Sequence, residues 1–177
     1  RLAALKAYGQ CSVVIDLIYG LPGQTMEVWE QDLADLVSSG VDGADLYQLN
    51  VFDGSDLNRD IASGKVPPAA TTAMQGDMFE FGRTYLEARA YRRLSAAHWS
   101  ANNRERSLYN ILAKAGVPMF PFGSGAGGNV DGYGMMLHRA LKPYEDMVSR
   151  GEKPFMALMK QSDLQPFVNQ VVSQLEQ

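Results

Sequence analysis

The run DLIYGLPGQT, residues 16–25, sets a carboxylate, Asp16, into a stretch that otherwise reads as buried and apolar. An unpaired carboxylate is costly to bury. Either backbone N–H groups or a nearby Lys or Arg compensate Asp16, or a bound molecule does. A second run, ADLYQLNVF, carries Gln48 and Asn50 toward its end. His98 closes a third, YRRLSAAHW, which also holds Arg92 and Arg93. Arginine suits two-pronged recognition of a carboxylate, although pairing with neighbouring acids is the plainer reading. His138, in MMLHRAL, reads as a residue of a solvated helix. No Ser-His-Asp or Cys-His arrangement with readable spacing is present, so no residue is assigned to catalysis.

The glycines of GSGAGG match G-x-G-x-x-G through Gly123, Gly125 and Gly128. A nucleotide-phosphate site would need a strand before them and a helix directly after. VPMFPF carries two prolines and NVDGYG is a poor helix, so the context argues against it. The glycines read instead as backbone that closely approaches a flat or bulky ligand.

The elements that position these residues follow from periodicity. CSVVIDLIY is a short continuous apolar run rich in β-branched residues, a strand covered on both faces. GLPGQT is a turn. Thr25 caps a helix with Met26, Trp29, Leu33, Leu36 and Val37 on one face, and Gly40 stops it. ADLYQLNVF is a second strand. A short helix is expected near 57–62, then a long helix through Met74, Met78, Phe81 and Tyr85. YRRLSAAHW reads as a third strand, followed by a helix near 108–115. The chain opens in a helical pattern ending at Gly9 and closes on a helix with Leu164, Phe167, Val168, Val171, Val172 and Leu175 in phase.

Alternating strands and helices predict parallel pairing with right-handed crossovers, in an open doubly wound sheet or part of a β/α barrel. In the first strand Val14, Asp16 and Ile18 share a side. In the second, Leu46, Gln48, Asn50 and Phe52 do. Polar groups toward the C-terminal strand ends favour the barrel, with Asp16, Gln48 and Asn50 facing inward to a ligand.

Composition narrows the class. The 177 residues are 46% apolar and 20% charged, enough to bury a real core. Net charge is −4 with no basic run, which gives no support to nucleic acid or an anionic membrane as partner. No apolar stretch approaches a membrane span. Cys11 is the sole cysteine, so this segment alone makes no disulfide and no iron–sulfur site, and a reducing, cytoplasmic setting is expected. The chain begins at Arg1 inside a helical pattern and reads as a fragment of a longer protein.

VVIDLIYGLPGQT, DLYQLNVF, YRRLSAAHW and FGSGAGG, in that order, resemble the C-terminal half of radical SAM enzymes of the oxygen-independent coproporphyrinogen III oxidase-like family. SAAHW, RSLYNIL and GSGAGGNVDGYG look most like its haem-utilisation branch, the anaerobic haem-degrading methyltransferases or anaerobilin synthases. The resemblance implies the end of a partial, TIM-like β/α barrel over 1–132 and a mainly helical segment over 133–177. It implies S-adenosylmethionine and a [4Fe-4S] cluster as cofactors, haem or a related tetrapyrrole as substrate, and an electron donor as partner. Asp16 falls at the family's adenosylmethionine-contacting aspartate. Phe52 and Asn129 fall near backbone contacts to the same cofactor, and Gln48 and Asn50 join that set. His98 matches a histidine of the family's HF or HW pair. It becomes a candidate tetrapyrrole contact together with Arg93, Gly123 and Gly125. The C-x-x-x-C-x-x-C motif that ligates the cluster is missing, and Cys11 is in the wrong place to belong to it. The segment alone is therefore expected to be inactive.

Overall fold

The computed structural model describes residues 1–175, with the side chain of Ser173 left out. It divides into two compact units, Arg1–Ser107 and the chain from Leu108 on.

The first unit opens with α1 (Leu2–Tyr8), closed by Gly9 in the left-handed conformation. Strand β1 (Val14–Tyr19) leads into α2 (Met26–Ser39), where the Thr25 hydroxyl accepts from the Val28 N–H at 3.3 Å. Gly40, at φ 61°, ends α2 by donating to the Val37 carbonyl. Then follow β2 (Gly43–Gln48), α3 (Asp56–Ala62) and α4 (Thr72–Glu87). Trp29, Leu33 and Leu36 of α2 and Met78 and Leu86 of α4 bury one common core against Val13, Tyr19, Ala44 and Leu46 of the sheet region. The Trp29 indole donates to the Met78 carbonyl at 2.8 Å, tying the two helices. Gly82 allows this approach, because a β-carbon there would sit 3.2 Å from both Leu46 and Trp29.

β1 and β2 pair in parallel, Asp16 beside Asp45, Ile18 beside Tyr47 and Tyr19 beside Gln48. The third strand departs from expectation. YRRLSAAHW is a hairpin of two short strands, β3 (Arg92–Arg93) and β4 (His98–Ser100), turned where Leu94 N–H and Ser95 N–H both donate to the His98 carbonyl. β4 inserts antiparallel between β2 and β3, giving the order β1-β2-β4-β3. Only the β1–β2 pair is the expected parallel neighbour pair. Trp99 is fully buried and packs in the core, so the hairpin buries its aromatic against the helices while His98 takes the opposite face.

The second unit holds α5 (Leu108–Lys114), β5 (Gly127–Val130), β6 (Tyr133–Leu137), α6 (Leu141–Ser149), β7 (Phe155–Lys160) and α7 (Gln165–Leu175). β5, β6 and β7 form an antiparallel sheet in that order. The helices expected beyond residue 132 are present as α6 and α7, but β6 and β7 lie there too. The boundary expected after 132 therefore falls inside the β5–β6 hairpin. Its two-residue turn is Asp131-Gly132, both at positive φ (49° and 75°), the mirror-image turn that Asp-Gly favours. YGMML and FMALMK lack β-branched residues, which hid these strands from periodicity.

Candidate functional site

Parallel register decides which side chains share a face. Asp16 and Ile18 of β1 lie with Asp45 and Tyr47 of β2 on the face turned away from α2 and α4. Asp16 is exposed, and no hydrogen bond or ion pair among the described residues engages its carboxylate. Ile18 and Tyr47 are each 44% exposed beside it. The result is an open face that presents an apolar side chain, a phenol and the Asp16 carboxylate.

Gln48 is on the other face. It is the register partner of Tyr19, and its amide donates at 2.7 Å to Gln75 of α4. The expected inward set of Asp16 with Gln48 is thus corrected to Asp16 with Asp45 and Tyr47. Alternation along β2 was legible, but apolar Leu46 and Tyr47 left open which face the helices would cover. Leu46 is the buried one. Asn50 lies past the end of β2, exposed, with its amide 3.5 Å from the Gln48 carbonyl. Phe52 is also beyond the strand and 72% exposed.

His98 is buried between two carboxylates. Its Nδ1 lies 2.9 Å from Asp45 Oδ1 and its Nε2 3.1 Å from Glu105 Oε1. Carboxylates only accept, so both contacts are hydrogen bonds when both ring nitrogens carry hydrogen. Glu105 also accepts from the Ser12 hydroxyl at 2.9 Å and from the Ser107 N–H. Burial raises the Glu105 carboxyl, but these bonds together hold it below its ordinary value. Gly43 makes room, since a β-carbon there would lie 2.6 Å from the Trp99 carbonyl and 3.0 Å from Glu105. Tyr47 follows Asp45 by two residues on the same face of β2. Burial pushes the Tyr47 phenol up, and the Asp45 and Asp16 carboxylates push it further. One connected line therefore runs from Asp45 through His98 to Glu105 and Ser12.

The turn after β1 is braced by glutamines. Gln24 Oε1 accepts from Gly20 N–H (2.8 Å) and Leu21 N–H (3.2 Å), while its amide donates to Asp32 at 3.1 Å. Gln75 donates to the Leu49 carbonyl at 3.1 Å and packs where a Gly20 side chain would be. The glycine and glutamine of YGLPGQT thus shape the loop at the end of the Asp16 strand.

Other expected contacts are already engaged. The Arg93 guanidinium donates to the carbonyls of Ser95 (3.0 Å) and Ala96 (3.4 Å) and lies over the Phe79 ring, holding its own hairpin. His98, with both nitrogens bonded and 4% exposed, presents no free atom to a ligand. In the second unit, Gly123 and Gly125 adopt positive φ (94° and 77°), and Gly125 N–H donates to the His138 carbonyl. The close approach read from the glycines occurs at Gly128, against the Met119 carbonyl and Pro121 of the same chain. The Asn129 side chain accepts from Met119 N–H at 3.2 Å, in the same bridge. His138 is half-buried in the loop after β6, not on a helix; the pattern MMLHRAL joins a strand end to the start of α6.

Sequence reasoning missed Asp45, Tyr47 and Glu105. Asp45 sits two residues before Tyr47 in the same strand, and that alternation was the available signal. Glu105, in an irregular segment, left none. Among the described residues no group of three or more His, Cys, Asp or Glu is arranged to hold a metal ion. With one cysteine, exposed Cys11, the chain does not fit an iron–sulfur cluster.

The chain is 38% identical over 162 residues, 92% of its length, to an anaerobilin synthase of Escherichia coli O157:H7. It is 24% identical over 146 residues, 81% of its length, to the heme chaperone HemW of Bacillus subtilis. In fold it matches the coproporphyrinogen III oxidase of Escherichia coli, described as a radical SAM enzyme, with a TM-score of 0.76 over 99% of this chain at 18% identity. No protein-family model matches. The chain spans 36% of that anaerobilin synthase, 38% of that chaperone and 42% of the solved oxidase.

Proposed function

Since this chain belongs to the radical SAM proteins of the coproporphyrinogen III oxidase-like family, we propose that it is the C-terminal barrel portion of an enzyme acting on haem. The proposed reaction is anaerobic methyl transfer to the macrocycle with ring opening and release of iron. The observation that carries this reading is the 38% identity to an anaerobilin synthase over 92% of the chain.

In this reading bound S-adenosylmethionine would supply the methyl group, and a [4Fe-4S] cluster the electron for its radical chemistry. The described residues do not fit the cluster, and no step is derived through it. They fit adenosylmethionine better. Asp16 is an exposed carboxylate without a partner among the described residues, suited to accept from hydroxyl or amino groups of a ligand. Asn50 and Phe52, just past the strand, supply backbone and side chain at the same strand end, and Asn129 is a further proposed contact. Ile18 and Tyr47 offer an exposed, partly apolar surface for a planar tetrapyrrole. Gly123 and Gly125 are proposed to let the macrocycle approach their backbone, and Arg93 to meet its propionates after release from the hairpin carbonyls. His98, buried between Asp45 and Glu105, is a positioning residue that does not touch substrate. An electron donor and a cytoplasmic location complete the proposal; no described helix is long and apolar enough to cross a membrane.

The test uses a full-length, cluster-reconstituted protein carrying this segment, supplied without oxygen with haem, reductant and adenosylmethionine. A methylated linear tetrapyrrole with freed iron is the expected product. Two of the similar proteins set the alternatives. Carbon dioxide from coproporphyrinogen III, with haem untouched, would identify propionate decarboxylation instead. Tight haem binding with neither compound consumed would identify a haem chaperone.

A further inference from the structure

Tyr133 and Met135, two residues apart on β6, share one face of the β5–β6–β7 sheet, with Leu158 of β7 in register beside Met135. With Phe120 and Phe155 they wall an apolar cleft of about 330 Å³, inside the second unit. Small-molecule sites occupy about 300–1,000 Å³ and are lined in this way, by apolar and aromatic side chains with a few polar groups. Here the polar groups are the Asp131 carboxylate and the Lys153 ammonium. Neither charge is neutralised within the described chain. Glu152, the acid beside Lys153, is held by Arg150 through two bonds of 2.8 Å. No hydrogen bond or ion pair among the described residues engages Lys153 or Asp131 through its side chain, and the two do not pair with each other. Lys153 only donates and ionised Asp131 only accepts. The complementary ligand has an apolar ring system, an anionic arm and N–H donors.

Resting on the haem reading above, we propose that this cleft binds the iron-free linear tetrapyrrole, the product, in preference to haem. A propionate of the product pairs with the Lys153 ammonium. Its pyrrole N–H groups donate to Asp131, and an edge of the chain of rings packs on Phe120, Tyr133 and Phe155. In haem every pyrrole nitrogen is bound to iron and carries no hydrogen. Haem therefore offers Asp131 no donor, and its rings would strip water from a carboxylate that gains no partner in return. An opened chain also bends to fit a cleft that takes only part of the molecule, whereas a closed macrocycle is a rigid disc.

Biliverdin is the probe, a linear tetrapyrrole with pyrrole N–H groups and two propionates. Lys153 and Asp131 are exposed, and Asn suits the positive φ of the Asp131-Gly132 turn, so Lys153→Ala and Asp131→Asn retain the fold, checked by melting temperature. In the full-length reconstituted protein, kept without oxygen, biliverdin affinity should fall at least ~10-fold in Lys153→Ala and about 5-fold in Asp131→Asn. Biliverdin dimethyl ester, which lacks the anionic arms, should bind wild type as weakly as biliverdin binds Lys153→Ala. Haem affinity should change less than about 2-fold in either variant. Biliverdin affinity equal to wild type in both variants would overturn the proposal while leaving the haem reading intact. So would equal losses for haem and biliverdin, which would show no selection of product. No biliverdin binding by wild type would show the cleft closed or filled in the longer protein, and would overturn the proposal too. A wild-type protein that consumes no haem would overturn both.

Discussion

Asp45 Oδ1 and His98 Nδ1 stand 2.9 Å apart across the β2–β4 pair, both side chains buried, on the face opposite the hydrophobic core. Removing the imidazole leaves buried Asp45 and half-buried Glu105 as neighbouring carboxylates with a lost partner each. His98→Ala should therefore cost about 3–5 kcal/mol of stability, read by guanidinium unfolding. A loss below about 1 kcal/mol would place the pair in the range of exposed ion pairs.

Acid should weaken the first unit through two carboxylates. Burial raises Asp42, but Val13 N–H at 2.8 Å, Asn102 and nearby Arg104 hold it below its ordinary 3.8. Glu105 is likewise held below its ordinary 4.5. A depressed folded value means the stabilisation is complete above the unfolded value and disappears as pH falls through the folded one. Unfolding midpoints should hold steady above pH 5 and drop as pH falls below about 4.5. Glu105→Gln should make that drop shallower; an identical acid limb would remove Glu105 from the account.

Asp16→Ala separates ligand from fold. The carboxylate is exposed and has no described partner, so the substitution should change stability by less than about 0.5 kcal/mol. In the full-length protein adenosylmethionine affinity should fall about 10-fold or more, measured by equilibrium binding. Unchanged affinity would exclude Asp16 from the cofactor site.

The glycines should divide by mechanism. A β-carbon on Gly128 would overlap the Met119 carbonyl oxygen and lie 2.8 Å from Pro121, so Gly128→Ala should cost about 1–3 kcal/mol. Beyond its chain neighbours, no described atom lies within 4 Å of where a Gly123 β-carbon would sit, and only its φ of 94° resists a side chain. Gly123→Ala should cost about 1–2 kcal/mol from backbone strain alone, and Gly123→Asn less. Equal, large losses for Ala and Asn at Gly123 would contradict the open space seen there.

Local chemistry made much of this chain readable from its residues. Thr25 and Gly40 bracket α2, Gly9 closes α1, and the apolar spacing of α4 and α7 follows from the helical period, because each depends on groups within a few residues. The β1 alternation that put Asp16 opposite Val13 and Tyr19 was likewise local. Tertiary structure alone decided which face of β2 the helices would cover, and so replaced Gln48 with Asp45 and Tyr47 beside Asp16. It alone turned YRRLSAAHW back on itself, because burying Trp99 against the core and pairing His98 with Asp45 satisfies two faces that a single parallel strand would leave to other partners. His98 meets Asp45 across 53 residues and Glu105 across seven. Such contacts arise from register and from what packs on each side of a sheet, and neither quantity is carried by any short stretch of sequence.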